Sequence, residues 1–207
     1  MLKKVLYLTL LVALINILNT GKTCYSFTLF KRHLTTEQAL NSALPRSEKI
    51  VEEKKVLTEE QEKIVMERLN VTNLVEWQIT ENGMEKRKDK EYVFYFGTKN
   101  GEKKTVAVLM LEYTLWGPME FVIGMDIGGK VQSIRLIRYD PYLREMASQP
   151  FLKQFKGKTG KDISKLEKSI DIVTGATASC EITIYAVKKA IVLYEELFLK
   201  ERGREIK

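Results

Sequence analysis

The 207-residue sequence contains only one histidine, His33, and only two cysteines, Cys24 and Cys180. Neither C-x-x-C nor H-E-x-x-H occurs in it, so the usual ligand patterns of a zinc site are missing. A Ser-His-Asp triad is close to excluded, because His33 lies between Arg32 and Leu34 and reads as a solvated surface residue. The sequence therefore predicts no metal site and offers no recognisable catalytic side chains.

Two glycine-rich fingerprints, G-x-G-x-x-G and G-x-x-x-x-G-K-[ST], are also absent, so no site for NADH or a nucleoside triphosphate is indicated. The formal net charge is +7, but no basic stripe carries interleaved aromatic residues. This argues against nucleic acid as a partner. Hydrophobic residues make up 44% of the chain, which is enough for a folded core. The length fits one ordinary domain and a leader.

The first 26 residues contain no acidic side chain and have the character of an export signal. Lys3 and Lys4 precede an apolar run at residues 5–18. That run has about 14 residues, fewer than the roughly 20 that a membrane-spanning helix needs. We therefore expect residues 1–26 to be a signal peptide, with a retained short membrane anchor as the alternative. Both place the domain outside the cytoplasm, in the periplasm or on the outer face of the cytoplasmic membrane.

The local signals predict an α+β fold with two antiparallel β-hairpins flanked by helices. Residues 27–57 are predicted to be a helical lead-in, and Thr58 and Gln61 then form a capping box for a further helix. Alternating strands around Asn100-Gly101 and Gly128-Gly129 predict the two hairpins, with a loop at residues 114–118 between them. Apolar residues at helical spacing predict one long helix over about residues 178–200, followed by a polar tail at 201–207.

Residues 171–179, with the sequence DIVTGATAS, precede this long helix. The segment places three hydroxyls and a glycine near a helix N-terminus, where N–H groups are unpaired and the helix dipole favours an anion. One hydroxyl could simply cap the helix. The segment could also hold a phosphate noncovalently, or one hydroxyl could carry a phosphate covalently.

The pattern D-x-x-[ST]-G-A-[ST]-x-[ST] resembles the attachment motif of the FMN-binding domain family. That family includes the C subunit of sodium-pumping NADH:quinone oxidoreductase, the G subunit of the Rnf complex and small exported flavoproteins. The turn G-x-D-x-G-G-K at residues 124–130 and the segment F-L-x-x-F-x-G-K at residues 151–158 extend the resemblance. It suggests an FMN-binding domain over residues 58–200, with its motif-bearing core at 115–200.

The resemblance implies that Ser179 bears FMN through a phosphoester bond, installed by a flavin transferase with FAD as donor. The family usually has threonine there. It also usually has a His-Glu-Thr-Pro-Gly type signature after the hairpin, where this chain has Tyr139-Asp140-Pro141-Tyr142. Asp171 is expected to help the attachment or to fix the loop, and Trp116 beside Gly117 is a candidate platform for the flavin ring. The phosphate is expected to contact Thr174, Gly175, Ala176 and Thr177.

The predicted function is that of an exported electron-transfer flavoprotein, in which the flavin supplies the chemistry and the protein tethers it. Its expected partners are redox proteins or a quinone-linked membrane complex. An electron carrier is favoured over a substrate-converting enzyme, because no acid–base pocket can be recognised. Two alternatives remain open: a flavin-dependent reductase of a small substrate, and a flavin-free adaptor or sensor of a membrane complex in which Ser179 only caps the helix.

Overall fold

The computed structural model describes residues 31–81, 83–114, 117–143 and 147–200. A six-stranded antiparallel sheet has the strand order β1-β8-β7-β6-β5-β2, and β3 and β4 form a separate two-stranded ribbon. The strands are β1 (Lys31–Arg32), β2 (Lys49–Val56), β3 (Trp77–Thr80), β4 (Gly83–Lys86), β5 (Glu91–Lys99), β6 (Glu102–Thr114), β7 (Gly117–Asp126) and β8 (Val131–Tyr139).

Five α-helices accompany these strands in the described ranges: α1 (Thr36–Ala43), α2 (Glu59–Leu69), α3 (Gln149–Lys153), α4 (Leu166–Ser169) and α5 (Thr177–Tyr194). A π-helical segment at Glu195–Leu199 continues α5, and short 3₁₀ helices lie at Pro141–Leu143 and Gly160–Lys165. The α+β fold class and the long C-terminal helix are therefore confirmed.

The sheet separates two hydrophobic clusters, because successive side chains of a strand point to opposite faces. On one face, Val106, Val108 and Met110 of β6 pack in the larger cluster with α2 and α5. On the other face, Ala107 and Leu109 join the smaller cluster beneath α1. Helix α5 thus lies on one defined side of the sheet.

The direction of α5 along the sheet is given by two contacts. Near its C-terminus, the Tyr194 hydroxyl donates a hydrogen bond of 3.0 Å to the carbonyl of Ile127, at the turn between β7 and β8. One and a half turns earlier, Lys189 reaches Glu112 near the opposite end of β6. The N-terminus of α5 therefore points toward the end of the sheet where β6 turns into β7.

Several sequence predictions are confirmed in detail. Thr58 caps α2, and Thr58 and Gln61 exchange both hydrogen bonds of the capping box. The predicted turns at Asn100-Gly101 and Gly128-Gly129 join β5 to β6 and β7 to β8. In the second turn, the Asp126 carboxylate accepts hydrogen bonds from the N–H groups of Gly128 and Lys130, both at 3.0 Å. Each of these features depends on residues that are close in the sequence.

The structure differs from the predictions in three places. The two hairpins are not separated by a loop, because β6 and β7 pair directly, up to Thr114 opposite Gly117. The described part of the predicted helical lead-in contains a helix, α1, but also the strand β2. The polar and charged segment at residues 78–90, for which no strand is predicted, contains most of the β3–β4 ribbon. In each case the sequence places charged or turn-forming residues where the structure has strand.

Some predictions concern residues outside the described ranges, namely the leader at 1–26, Trp116 and the polar tail at 201–207. Within those ranges, no helix combines the length and the apolar character that crossing a membrane would require.

Candidate functional site

The hydroxyls of the 171–179 segment do not cap the helix that follows. Ala176 occupies the N-cap position, and no side chain accepts a hydrogen bond there. The first backbone bond of the helix runs from the N–H of Cys180 to the carbonyl of Ala176, at 2.9 Å. The N–H groups of Thr177, Ala178 and Ser179 therefore precede the helical hydrogen-bond pattern and remain available to an anion.

The loop before α5 is held by its backbone. The Gln154 side chain makes two hydrogen bonds to the backbone of Asp171. Its oxygen accepts from the Asp171 N–H at 2.7 Å, and its amide nitrogen donates to the Asp171 carbonyl at 3.1 Å. Further along, the N–H of Val173 donates to the Cys180 sulfur at 3.3 Å. These contacts fix the loop without the Asp171 carboxylate, which belongs to an exposed residue.

Gly175 gives this loop its sharp turn. Its φ angle of 79° lies in the left-handed region, which side chains rarely tolerate. An added Cβ would meet no atom within 4 Å, so the requirement for glycine is conformational rather than steric. Thr174 and Gly175 are both exposed, and Ala176 is buried. The turn thus leaves open space above the start of the helix.

Ser179 lies in the first turn of α5 and is only 4% exposed. Its carbonyl accepts a hydrogen bond of 2.9 Å from the Thr183 hydroxyl. Its own hydroxyl makes no hydrogen bond within the described part of the chain, so the fold does not use it. Cys180 is fully buried, as expected for a packed helix residue, and burial raises the pKa of its thiol. A reactive thiol at Cys180 is therefore not supported.

The hairpin tip at residues 114–117 is the second predicted part of the site. The Thr114 hydroxyl closes it, accepting from the Gly117 N–H at 3.1 Å and donating to the Gly117 carbonyl at 2.9 Å. Gly117 has a φ angle of 147° and is buried, so it shapes the tip. Trp116, the predicted ring platform, is outside the described residues. The N-terminus of α5 points toward this tip.

Part of this arrangement resembles a known protein family. Residues 115–192 match the FMN-binding domain family. This segment of the chain is similar to an FMN-binding domain. The match begins at the hairpin tip and includes β7, β8, α3, the 171–179 segment and most of α5. A comparison with curated proteins found no match.

The residues of the matched segment fit a flavin phosphate at the start of α5. The three unpaired N–H groups and the helix dipole favour a negative charge there. The hydroxyls of Thr174 and Thr177 are on exposed residues and can add donors. The left-handed turn at Gly175 lets a ligand approach the backbone closely. The site can thus bind the phosphate end of FMN.

A buried cluster of charged side chains was not predicted from the sequence. Lys189 of α5 has a fully buried side chain, and its ammonium donates to the carboxylates of Glu112 at 3.0 Å and Glu76 at 2.9 Å. It also donates to the carbonyl of Val75 at 3.3 Å. The Tyr92 hydroxyl donates to Glu76 at 2.7 Å. The sequence signals are a lysine within the apolar stretch of α5 and a glutamate within the apolar stretch of β6.

Burial and mutual interaction shift the protonation of this cluster. Burial raises the pKa of Glu112 to about 7, and the negative charge of Glu76 raises it too, although Lys189 acts in the opposite direction. Burial also disfavours the charge on Lys189, but the two carboxylates outweigh this effect and raise its pKa above the ordinary value. Lys189 therefore stays charged, and the carboxylate of Glu112 is the group that tends to take up a proton.

We expect Glu112 to make folding stability depend on pH. Because the folded state raises its pKa from 4.5 to about 7, its stabilising contribution is complete below pH 4.5 and is lost as the pH rises through 7. The loss amounts to about 3 kcal/mol of unfolding free energy. Glu112→Gln stays neutral, so its stability relative to wild type should rise by a similar amount over this range.

Denaturant unfolding at a series of pH values measures this difference. Glu102→Gln is the matched control, because Glu102 lies on the same strand but is exposed and pairs with Lys104. The difference in unfolding free energy between Glu102→Gln and the wild type should change little with pH. Parallel curves of unfolding free energy against pH for wild type and Glu112→Gln would contradict a raised pKa of Glu112 in the folded state.

Proposed function

We propose that this protein is an exported electron-transfer flavoprotein that carries FMN on Ser179 through a phosphoester bond. The observation that carries this proposal is the position of the Ser179 hydroxyl. It lies in the uncapped first turn of α5, within an FMN-binding domain, and makes no hydrogen bond in the described residues. A plain capping role for Ser179 is not supported, because Ala176 occupies the cap position.

The attachment would be a group transfer with FAD as donor and a flavin transferase as catalyst. The Ser179 oxygen would form a bond to the phosphorus on the FMN side of the pyrophosphate. The bond from that phosphorus to the bridging oxygen would break, AMP would leave, and the hydroxyl proton would pass to a base. The exposed Asp171 carboxylate could serve the transferase complex, since the loop does not need it.

The role of electron carrier rests on what a tethered flavin supplies. Flavins exchange electrons with partners, and the protein provides binding and electrostatics. A covalent link prevents loss of FMN by dilution outside the cytoplasm, where the leader is expected to direct the protein. The proposed partners are redox proteins or a quinone-linked membrane complex.

The proposal is tested by producing the full chain with its leader, with and without a flavin transferase. After denaturing electrophoresis, ultraviolet imaging should show a fluorescent band only when the transferase is present. Intact-protein mass spectrometry should show the mass of one added FMN, less one water. A dark band with unmodified mass in the presence of an active transferase would refute the covalent claim.

A redox titration of the loaded protein separates a carrier from a reductase. A carrier should be reduced and reoxidised fully through one-electron mediators alone, without a small substrate. If turnover occurs only when a small oxidisable or reducible substrate is added, the reductase alternative is correct.

A further inference from the structure

The buried charged cluster lies on the same side of the sheet as the proposed flavin site. Lys189 follows Ser179 by ten residues on α5, which is about 15 Å along a helix axis. Glu112 lies two residues before Thr114, and this spacing places both side chains on the face that α5 covers. Thr114 in turn closes the hairpin tip toward which the N-terminus of α5 points.

The cluster holds an unequal number of charges. One ammonium, on Lys189, faces two carboxylates, those of Glu112 on β6 and Glu76 before β3. The other groups that face it are the Tyr92 hydroxyl of β5, the Tyr185 ring of α5 and the Val75 carbonyl, with Glu62 and Arg87 farther out. None of these adds a second positive charge next to Glu112. One proton therefore decides whether the buried cluster is neutral or negative.

We propose that reduction of the flavin on Ser179 raises the proton affinity of Glu112, so that this cluster sets part of the pH dependence of the flavin potential. The inference rests on the proposed function. One electron from a redox partner adds one negative charge to the flavin. In those molecules in which Glu112 is still ionised, its carboxylate then binds a proton from solvent more tightly, and on binding it becomes a neutral carboxyl group; no bond to the flavin is formed or broken. Reoxidation returns the electron to an acceptor and the proton to solvent.

The size of the coupling is set by the separation of the two charges, for which the roughly 15 Å of α5 between Ser179 and Lys189 gives the scale. At that separation and an effective dielectric constant of about 20, a unit charge on the flavin changes the proton affinity of Glu112 roughly sixfold. Coupling between two binding events is reciprocal, so protonation of Glu112 raises the electron affinity of the flavin by the same factor. A sixfold change corresponds to about 50 mV for a one-electron step.

The test is the midpoint potential of the loaded protein as a function of pH, for wild type, Glu112→Gln and the exposed control Glu102→Gln. At about pH 5 the wild type should match Glu112→Gln, because both side chains are then neutral. At about pH 9 the wild type should lie about 50 mV lower, because only its side chain is charged. Glu102→Gln should follow the wild type throughout. Parallel curves for wild type and Glu112→Gln would overturn the proposal.

A second measurement does not depend on the folding of any variant. In the wild type, with ¹³C-labelled glutamate, the reduced-minus-oxidised infrared spectrum at neutral pH should gain an isotope-shifted band of a protonated carboxyl group. Absence of this band would overturn the proposal. A dark band on the denaturing gel would overturn the proposed covalent attachment and this inference together. A fluorescent band with parallel potential curves would overturn the proton coupling alone.

Discussion

Replacing Ser179 with alanine is expected to abolish the covalent flavin fluorescence completely while leaving the fold intact. The substitution removes the only atom to which the phosphate could be joined at this position. It breaks no hydrogen bond in the described structure, and alanine favours a helix more than serine does, so the unfolding free energy should fall by no more than about 0.5 kcal/mol. Denaturing electrophoresis with ultraviolet imaging, together with denaturant unfolding of the same samples, measures both effects.

The neighbouring hydroxyls provide controls. Thr177→Ala removes an exposed hydroxyl from the same helical turn, and Thr183→Ala removes the hydroxyl that donates to the Ser179 carbonyl. Both variants should still give a fluorescent band. If the band survives in Ser179→Ala and disappears in Thr177→Ala, the attachment point is Thr177 instead.

The second large effect is expected for Lys189→Met, which should lower the unfolding free energy by about 3–5 kcal/mol. Methionine keeps much of the volume of the lysine stem but removes its charge. The carboxylates of Glu112 and Glu76 would then face each other in a buried site without a cation. Urea unfolding at neutral pH measures the loss.

Lys188→Met is the matched control, because Lys188 is the preceding residue on the same helix. Its ammonium pairs at 2.7 Å with Glu167, whose side chain is 70% exposed, so water can solvate the carboxylate that remains. Its loss should be about 1 kcal/mol or less. Adding Glu112→Gln to Lys189→Met should recover part of the stability. Equal losses for Lys188→Met and Lys189→Met would contradict the cluster described above.

The elements that the sequence predicted correctly depend on signals within a few residues. Thr58 and Gln61 cap α2 through contacts three residues apart, and the apolar spacing of α5 is repeated every three or four residues. The 171–179 motif and the glycine turns are local in the same sense. Fold class and motif could therefore be inferred without knowledge of the tertiary structure.

The features that sequence reasoning missed depend on distant pairing. Strand β2 carries mostly charged side chains and is stable because it pairs with β5, which lies about 40 residues later in the chain. Gly117-Pro118 indicated a loop, yet both residues pair with β6. Lys189 and Glu112 are 77 residues apart in the chain. A single sequence contains no signal that joins such partners.

The near burial of Ser179 has a consequence for how the proposed flavin attachment could take place. Under the proposed attachment, a transferase would have to bring FAD to an oxygen that the folded domain almost covers, so attachment would require the first turn of α5 to open locally. An alanine at the N-cap lowers the free energy of that opening by about 1 kcal/mol relative to a serine or threonine cap. The missing cap would thus keep the proposed acceptor reachable after folding. The rate of flavin loading would then depend on how often the first turn of α5 opens, and Ala176→Ser should lower this rate.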